Sequence, residues 1–407
     1  MLVDAKSLED FVSKSDALGG PGTPACDAYW ADFSYQPTYE VDQSLDPFSE
    51  GYVGEQIALY HEIAGRELNQ VETEMTALNL AEHVAAVNPY NHPQPSGLAL
   101  HIERLSKALR LAEIPRGGRL IDMGCGWGLS SELAAYMGLS VSAVDINPNF
   151  VSLVNQRAAR SGWDISAVQS PFDSYEPVHG ADAVLFYECL HHAVRPWTLI
   201  ETLGQSLGET GKIVLAGEPI NAIWWAHWGL RLDAFSVYCI HKFGWFESGW
   251  SEGFLTQCFL RAGLGTRVIV DPDPLVGFTV IAQPLKVGVW SGAEFIRSTT
   301  ATGFTDDPQF GIFGGEGSLD LVFPREATRA ELVFQNFRSR TVPARMSYGD
   351  TILFSGEAAM GPTRITIDRS ADRMRVDLVS EVWVPDEELG NGDPRRLSLH
   401  LETVTFS

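Results

Sequence analysis

A doubly wound α/β domain, preceded by a helical cap and followed by an all-β domain, is the fold class this 407-residue sequence predicts. Three observations carry the prediction. The run Leu120-Ile-Asp-Met-Gly-Cys-Gly-Trp-Gly-Leu129 reads as a buried strand breaking into a glycine-rich turn that opens a helix. Strand and helix patterns then alternate up to Pro284, as in a mainly parallel sheet covered on both faces. Beyond Pro284 the texture changes to short alternating stretches separated by turn residues, with hardly any helical periodicity. The expected boundaries are 1–115 for arm and helical lid, 116–285 for the α/β domain and 286–407 for a β-sandwich or jelly-roll-like domain.

In order along the chain, residues 1 to 50 are rich in turn formers such as Gly19-Gly-Pro-Gly-Thr-Pro24 and read as an irregular arm. Helical periodicity dominates from Gly54 to Val87, until Asn88-Pro-Tyr-Asn-His-Pro-Gln-Pro95 ends it. A helix over Leu98–Leu111 leads to Gly117-Gly118 and the first strand, Arg119–Met123. Helix Ser130–Met137, strand Ser140–Val144, helix Asn149–Ser161 and strands Ile165–Val168, Ala181–Phe186 and Lys212–Ala216 follow, the last after a turn at Glu209-Thr-Gly211. Helix Glu252–Ala262 leads to Thr266–Val270, the turn Asp271-Pro-Asp-Pro274 and Gly277–Ala282, a closing strand–turn–strand. Alternating stretches at Leu319–Phe323, Ala330–Phe334, Arg364–Ile367, Met374–Leu378 and Ser398–Phe406 make up the C-terminal domain.

Composition narrows the function. The chain is 45% apolar and 20% charged, an ordinary folded protein. Its net charge of −23 argues against binding the phosphate backbone of nucleic acid or an anionic membrane surface. Cys26, Cys125, Cys189, Cys239 and Cys258 are scattered and lack a Cys-x-x-Cys pair, which suits free thiols in a reducing cytoplasm. The first ten residues show no signal pattern, and Ile220–Ile240 is broken by His227, Arg231 and Asp233, so membrane insertion is not expected.

The glycine turn carries a site. Glycines at 124, 126 and 128 allow a sharp turn and close approach of a ligand, and the helix that follows offers N–H groups to an anion. Asp145 ends the second strand, where an acid can bind ribose hydroxyls. A dinucleotide fingerprint would want its third glycine at 129, which is leucine. Asp122 followed by Gly124, Gly126 and Gly128 resembles the first motif of the class I S-adenosylmethionine (SAM) methyltransferases. These enzymes have a seven-stranded Rossmann-like sheet closed by a hairpin. The resemblance covers Leu98 to Pro284. It implies SAM as cofactor, with Gly124 and Gly126 under the methionine part and Asp122 near its amino group or ordering the loop. It further implies Asp145 on the ribose, Ile146 against adenine, and Phe172 with Asp173 beside the adenine.

Tyr187-Glu-Cys-Leu-His-His192 leaves the carboxyl end of the fourth strand, where ligands bind in open α/β sheets. His191 or His192, before Glu188, is the expected general base for a hydroxyl acceptor. The cluster lacks the row of carboxylates that magnesium favours, so no metal is expected. The segment from Gly217 to Trp250 carries Trp224, Trp225, Trp228, Trp245 and Trp250, aromatic planes suited to a sugar ring. Packing in the core is the plainer reading for any one of them. Tyr90, Tyr52, Tyr60 and Asn91 are candidates for a lid closing over the cofactor.

The stretch from Arg195 into the tryptophan insertion looks like methyltransferases associated with bacterial surface-polysaccharide synthesis. Val382-Trp-Val-Pro385 and Gly392-Asp-Pro-Arg-Arg-Leu397 look like modules found beside glycan-building enzymes. The resemblance therefore implies O-methylation of a sugar hydroxyl on a glycan. A small-molecule O- or N-methyltransferase whose β domain serves homo-oligomerisation, or a non-catalytic glycan binder, stays open. A groove beside Trp224–Trp250 would favour a chain, and a closed cavity a small molecule.

Overall fold

The computed structural model describes residues 1–75, 77–90, 94–297, 299, 301–304, 311–324 and 326–407. The chain forms two compact units, Met1–Cys258 with Ile269–Val280 and Phe259–Val268 with Ile281–Ser407.

The arm is more ordered than its turn formers suggest. Strand β1 (Leu2–Val3) leads to helices α1 (Leu8–Ala17) and α2 (Pro24–Trp30), and β2 (Ser34–Tyr35) pairs back on β1. Phe11, 2% exposed, gathers the rings of Tyr29, Trp30 and Phe33, which gives the segment its own apolar anchor. The expected long helix is three. α3 (Glu50–Ala64) starts on the Ser49 hydroxyl and stops at Gly65 in the left-handed conformation (φ 66°). Short α4 (Gln70–Thr73) and α5 (Leu80–Ala85) follow. α6 (Pro95–Ala112) has proline at its first position, where the missing N–H costs nothing.

The sheet begins with β3 (Arg119–Met123), buried from Leu120 onward. Then come α7 (Leu129–Tyr136), β4 (Ser140–Asp145), α8 (Pro148–Ser161), β5 (Ile165–Gln169), β6 (Ala181–Tyr187), α9 (Pro196–Ser206) and β7 (Leu207–Ala216). The expected turn at Glu209–Gly211 is an irregularity inside β7, where pairing jumps from Ala181↔Leu207 to Ala183↔Lys212. A small ribbon of β8 (Trp228–Leu230) and β9 (Ser248–Trp250) brackets α10 (Ala234–Phe243). α11 (Glu252–Arg261), β10 (Leu264–Val270) and β11 (Phe278–Pro284) close the fold.

Strand order is β10-β11-β7-β6-β3-β4-β5, with β3, β4, β5, β6 and β7 mutually parallel. The short link between neighbours β10 and β11 makes that pair antiparallel, since parallel neighbours need a long crossover. This is the doubly wound, hairpin-closed sheet expected from the sequence. Met123 lies opposite both Val144 and Phe186, so Gly124, Asp145 and Tyr187 meet at one edge, the carboxyl end of the sheet.

In the C-terminal region β12 (Gly288–Ser291), α12 (Gly292–Arg297), β13 (Ala301–Phe304), β14 (Phe313–Val322), β15 (Arg329–Asn336), β16 (Val342–Tyr348), β17 (Thr351–Ala358), β18 (Gly361–Asp368), β19 (Arg373–Ser380), α13 (Pro385–Leu389) and β20 (His400–Phe406) build two antiparallel sheets, β12-β20-β15-β18 and β13-β14-β19-β16-β17. Alternation is plain in β19, where Met374, Val376 and Leu378 are buried between exposed Arg375 and Asp377. They share one core with Leu332, Phe334, Ile367 and Leu401 from the other sheet, which is sandwich packing.

Candidate active site

The glycine turn is shaped by its packing. Gly124, Gly126 and Gly128 all have positive φ (60°, 49° and 87°). A Cβ on Gly124 would lie 2.8 Å from Cys189 Cβ, and one on Gly128 would lie 2.7 Å from Val154 Cγ2. The turn spends its N–H groups internally. Cys125 N donates to Val144 O (3.0 Å), Gly128 N to Cys125 O (2.8 Å) and Gly126 N to Asp145 Oδ2 (2.8 Å). These three N–H groups precede the helix N-terminus at which the anion site is expected.

Asp145 is held from both sides, since its Oδ1 accepts from Asn147 N (2.8 Å). Each oxygen keeps a lone pair for a further donor. Burial pushes its pKa up to about 6, against the pull of those two backbone donors. Asp122 takes the loop-ordering role: its Oδ2 accepts from Ser130 (2.7 Å) and Ser131 (2.5 Å), and it does not line the cavity. Burial raises it to about 6 as well.

Over this floor lies a cavity of about 500 Å³. Gly124, Gly126, Gly128, Asp145, Ile146, Phe172, Asp173, Glu188 and His192 line it, along with Tyr90 and Trp245. Sequence reasoning did not anticipate the opposite wall of Leu68, Asn69, Gln70, Val71 and Glu74, nor Trp127 and Phe150. That wall is tied down. Gln70 Nε2 donates to His192 O (2.7 Å), Trp245 Nε1 to Thr73 O (3.2 Å) and Asn147 Nδ2 to Glu74 O (3.1 Å). Arg157, 1% exposed, holds α5 by bonding the carbonyls of His83 and Ala86 while paired with Glu132.

Other candidates lie elsewhere. Trp228 is 2% exposed, donates to Pro47 O (2.7 Å) and packs on Tyr52, Trp197 and Phe254, so it belongs to the core. Trp225 donates to Leu230 O, and neither it nor Trp224 lines the cavity. Tyr52 and Tyr60 are buried, donating to Trp228 O and Gly244 O, and form no lid. Asn91 lies outside the described residues.

The motif after β6 splits its residues three ways. Glu188, at φ 52°, a conformation rare outside glycine, pairs with Arg104 (2.5 Å). His191 faces away from the cavity, between Glu218 (Nδ1 to Oε2, 3.0 Å) and Glu247 (Nε2 to Oε2, 3.5 Å). Burial lowers its pKa, but the two carboxylates outweigh burial and the net shift is upward. Glu218 also caps the turn, accepting from the N–H groups of Cys189, Leu190 and His191. His192 faces the cavity. Burial and the neighbouring His191 drive its pKa well below the usual value, so it is neutral. Its Nδ1 lies 3.6 Å from Glu74 Oε1, and neither atom has a hydrogen-bond partner among the described residues. Burial, with Glu247 and Asp145 nearby, pushes Glu74 up to about 8.

All five cysteines are buried and none forms a disulfide, and among the described residues no helix is long and apolar enough to cross a membrane.

Comparison with known proteins adds the family of the core. Residues 121–215 match a family described as a methyltransferase domain. A ubiquinone biosynthesis O-methyltransferase of Xanthomonas axonopodis pv. citri is 35% identical over 126 residues, 30% of this chain and 52% of that protein. Its counterpart in Xanthomonas euvesicatoria pv. vesicatoria is 34% identical over 119 residues, 29% of this chain and 48% of that protein. The chain thus spans about half the length of these curated relatives, and their names carry no association with polysaccharide. Among solved structures, a SAM-dependent methyltransferase from Aquifex aeolicus is 16% identical, covering 51% of this chain and 98% of that one, with a TM-score of 0.36. The match at residues 121–215 agrees with the SAM cofactor that the motif Asp122–Gly128 implies. The cavity suits that cofactor: an acid with two free lone pairs at the end of β4, apolar Ile146 and Phe172 beside it, and a side-chain-free turn beneath.

Proposed function

We propose that the protein is an O-methyltransferase acting on a hydroxyl of a small acceptor held in this cavity. The observation that carries the reading is that His192, whose Nδ1 has no hydrogen-bond partner among the described residues, lines the same cavity as Gly124 and Asp145. The relatives' printed names, both O-methyltransferases, support oxygen as the acceptor atom. A sugar hydroxyl on a long glycan has less support. Of the tryptophans that would have formed a groove, Trp245 lines the cavity while Trp228 is in the core.

When bound, SAM supplies an electrophilic methyl on a good leaving group. The chain's own work is to align, to dry and to accept a proton. Asp145 and the glycine turn fix the nucleoside end. Tyr90, Trp245, Leu68 and Val71 offer apolar surface to the acceptor. A neutral imidazole is bonded to the Phe246 backbone, which leaves Nδ1 of His192 to take the hydroxyl proton. His191, held by Glu218, buttresses the ring beside it, with centroids 4.4 Å apart.

The test is calorimetry with S-adenosylhomocysteine on wild type and Asp145→Ala, followed by a screen of hydroxylated small molecules and oligosaccharides with labelled methyl donor. Binding in wild type, lost in the variant, with label entering small hydroxylated compounds, is the expected result. Absence of binding to wild type would sink the enzyme reading, and label entering only oligosaccharides would restore the glycan acceptor.

A further inference from the structure

We propose that His191, His192, Glu247 and Glu74 form a site for one divalent first-row transition ion, set behind the cavity wall to which His192 and Glu74 belong. The existence of the site rests on geometry alone. Its role, fixing the wall of the proposed acceptor cavity, rests on the methyl-transfer reading above.

Two distances are the starting point. His191 Nε2 and Glu247 Oε2 are 3.5 Å apart, and His192 Nδ1 and Glu74 Oε1 are 3.6 Å apart. Both exceed the range of an N–H···O bond. Both match the separation of adjacent ligand atoms around a tetrahedral ion with bonds near 2 Å, about 3.3 Å. One ligand atom from each of His191, His192 and Glu247 falls within 4.8 Å of the other two. Modest side-chain closure onto an ion brings them into range.

The orphaned atoms point the same way. His192 Nδ1 and Glu74 Oε1 are fully buried and lack hydrogen-bond partners, a costly arrangement that an ion would relieve. Glu247 is 3% exposed, and its carboxylate lies 3.5 Å from His191 and 3.9 Å from Arg231. Arg231 is engaged more closely with Asp233 (3.0 Å). Behind the cluster, Glu218 accepts from Nδ1 of His191, which turns Nε2 toward Glu247. A carboxylate orienting the far nitrogen of a histidine is the usual support of a metal-ligating imidazole.

Two imidazoles and two carboxylates select the ion. Magnesium, calcium and manganese prefer oxygen ligands, whereas imidazole nitrogens favour ions such as zinc, nickel or copper, with cobalt(II) as the spectroscopic stand-in for zinc. Two carboxylates balance the charge of a divalent ion. Four protein ligands complete a tetrahedral ion, so the ion would fix the cavity wall that carries Glu74 and His192. Nδ1 of His192 would then serve as ligand in place of proton acceptor.

The test uses the full-length protein stripped with chelator and titrated with Co²⁺, followed by visible absorption and displacement with Zn²⁺. One equivalent of Co²⁺ per chain is expected, with the intense bands of a low-coordinate site. Glu247→Gln and Glu74→Gln, close in shape to wild type and checked by circular dichroism, should each weaken binding at least about tenfold. Glu218→Gln should weaken it about 10- to 100-fold by loosening the hold on Nδ1 that orients the His191 ring. No stoichiometric binding to wild type, or equal affinity in Glu247→Gln, overturns the proposal. S-adenosylhomocysteine binding on the same preparation keeps the two readings apart. Nucleoside binding without cobalt removes only the ion, and cobalt binding without nucleoside removes only methyl transfer.

Discussion

Lowering the pH should loosen the nucleoside through one carboxyl group. Asp145 is buried, with a free-protein pKa of about 6, and its two oxygens already accept one backbone N–H each. Ribose hydroxyls donating to the remaining lone pairs favour the carboxylate, so binding lowers that pKa and releases a proton. Affinity is therefore full above the free-protein value and falls as pH drops through it. With a pKa of about 6, affinity at pH 5 should be about elevenfold below its plateau, or roughly 1.4 kcal/mol, while at pH 7.5 the loss is negligible. Calorimetry with S-adenosylhomocysteine from pH 5 to 8, in buffers of different ionisation enthalpy, measures affinity and proton release together. Asp145→Asn should bind more weakly at pH 7.5 and lose the dependence. Asp122→Asn, which alters a group outside the cavity with a similar pKa, should retain it. A flat wild-type profile, or an equal slope in Asp145→Asn, would refute the assignment of Asp145 to the ribose.

Gly128→Ala should cost about 2–5 kcal/mol, combining left-handed strain with overpacking against Val154. Adding Val154→Ala should recover about 1–3 kcal/mol relative to additivity in urea unfolding, and strict additivity would contradict the contact. His192→Ala should lower kcat by about 10²–10⁴ and leave S-adenosylhomocysteine affinity near wild type; an unchanged kcat would remove His192 from the chemistry. Arg157→Met should destabilise the protein by about 3–5 kcal/mol, because it strands buried Glu132, and should speed proteolysis near α5. Trp228→Ala should lower stability by about 3–5 kcal/mol with acceptor KM unchanged, whereas a KM effect without a stability loss would return it to the substrate site.

What was legible in the sequence is what local physics writes there. The strand–glycine turn–helix at Asp122–Leu129, the acid ending β4 and the strand–turn–strand over Thr266–Ala282 are short-range patterns, and the sheet with its closing hairpin followed from them. Strand alternation in the C-terminal domain was equally visible. Features decided by distant partners were not. Glu74 sits in a polar run with no motif, and it reaches the cavity only because Gln70, Thr73 and Glu74 are bonded to residues of the sheet and insertion. His191 and His192 look equivalent in sequence, but the Glu218 cap turns one inward and leaves the other facing the cavity. Trp228 and Trp245 likewise differ only in what folds against them. Helices α1 and α2 were hidden by the glycines and prolines between them.

The three hydrogen bonds holding residues 70–74 against the cavity also set a clock. At roughly 1 kcal/mol each, peeling that segment away costs about 3 kcal/mol. The open form would then be roughly one molecule in a hundred at any instant. In the proposed methyl transfer, spent nucleoside leaving by that side would wait for such an opening, on the microsecond-to-millisecond scale of segment motions. One of those bonds is accepted by the carbonyl of His192 itself, so the residue facing the acceptor is also one end of the latch.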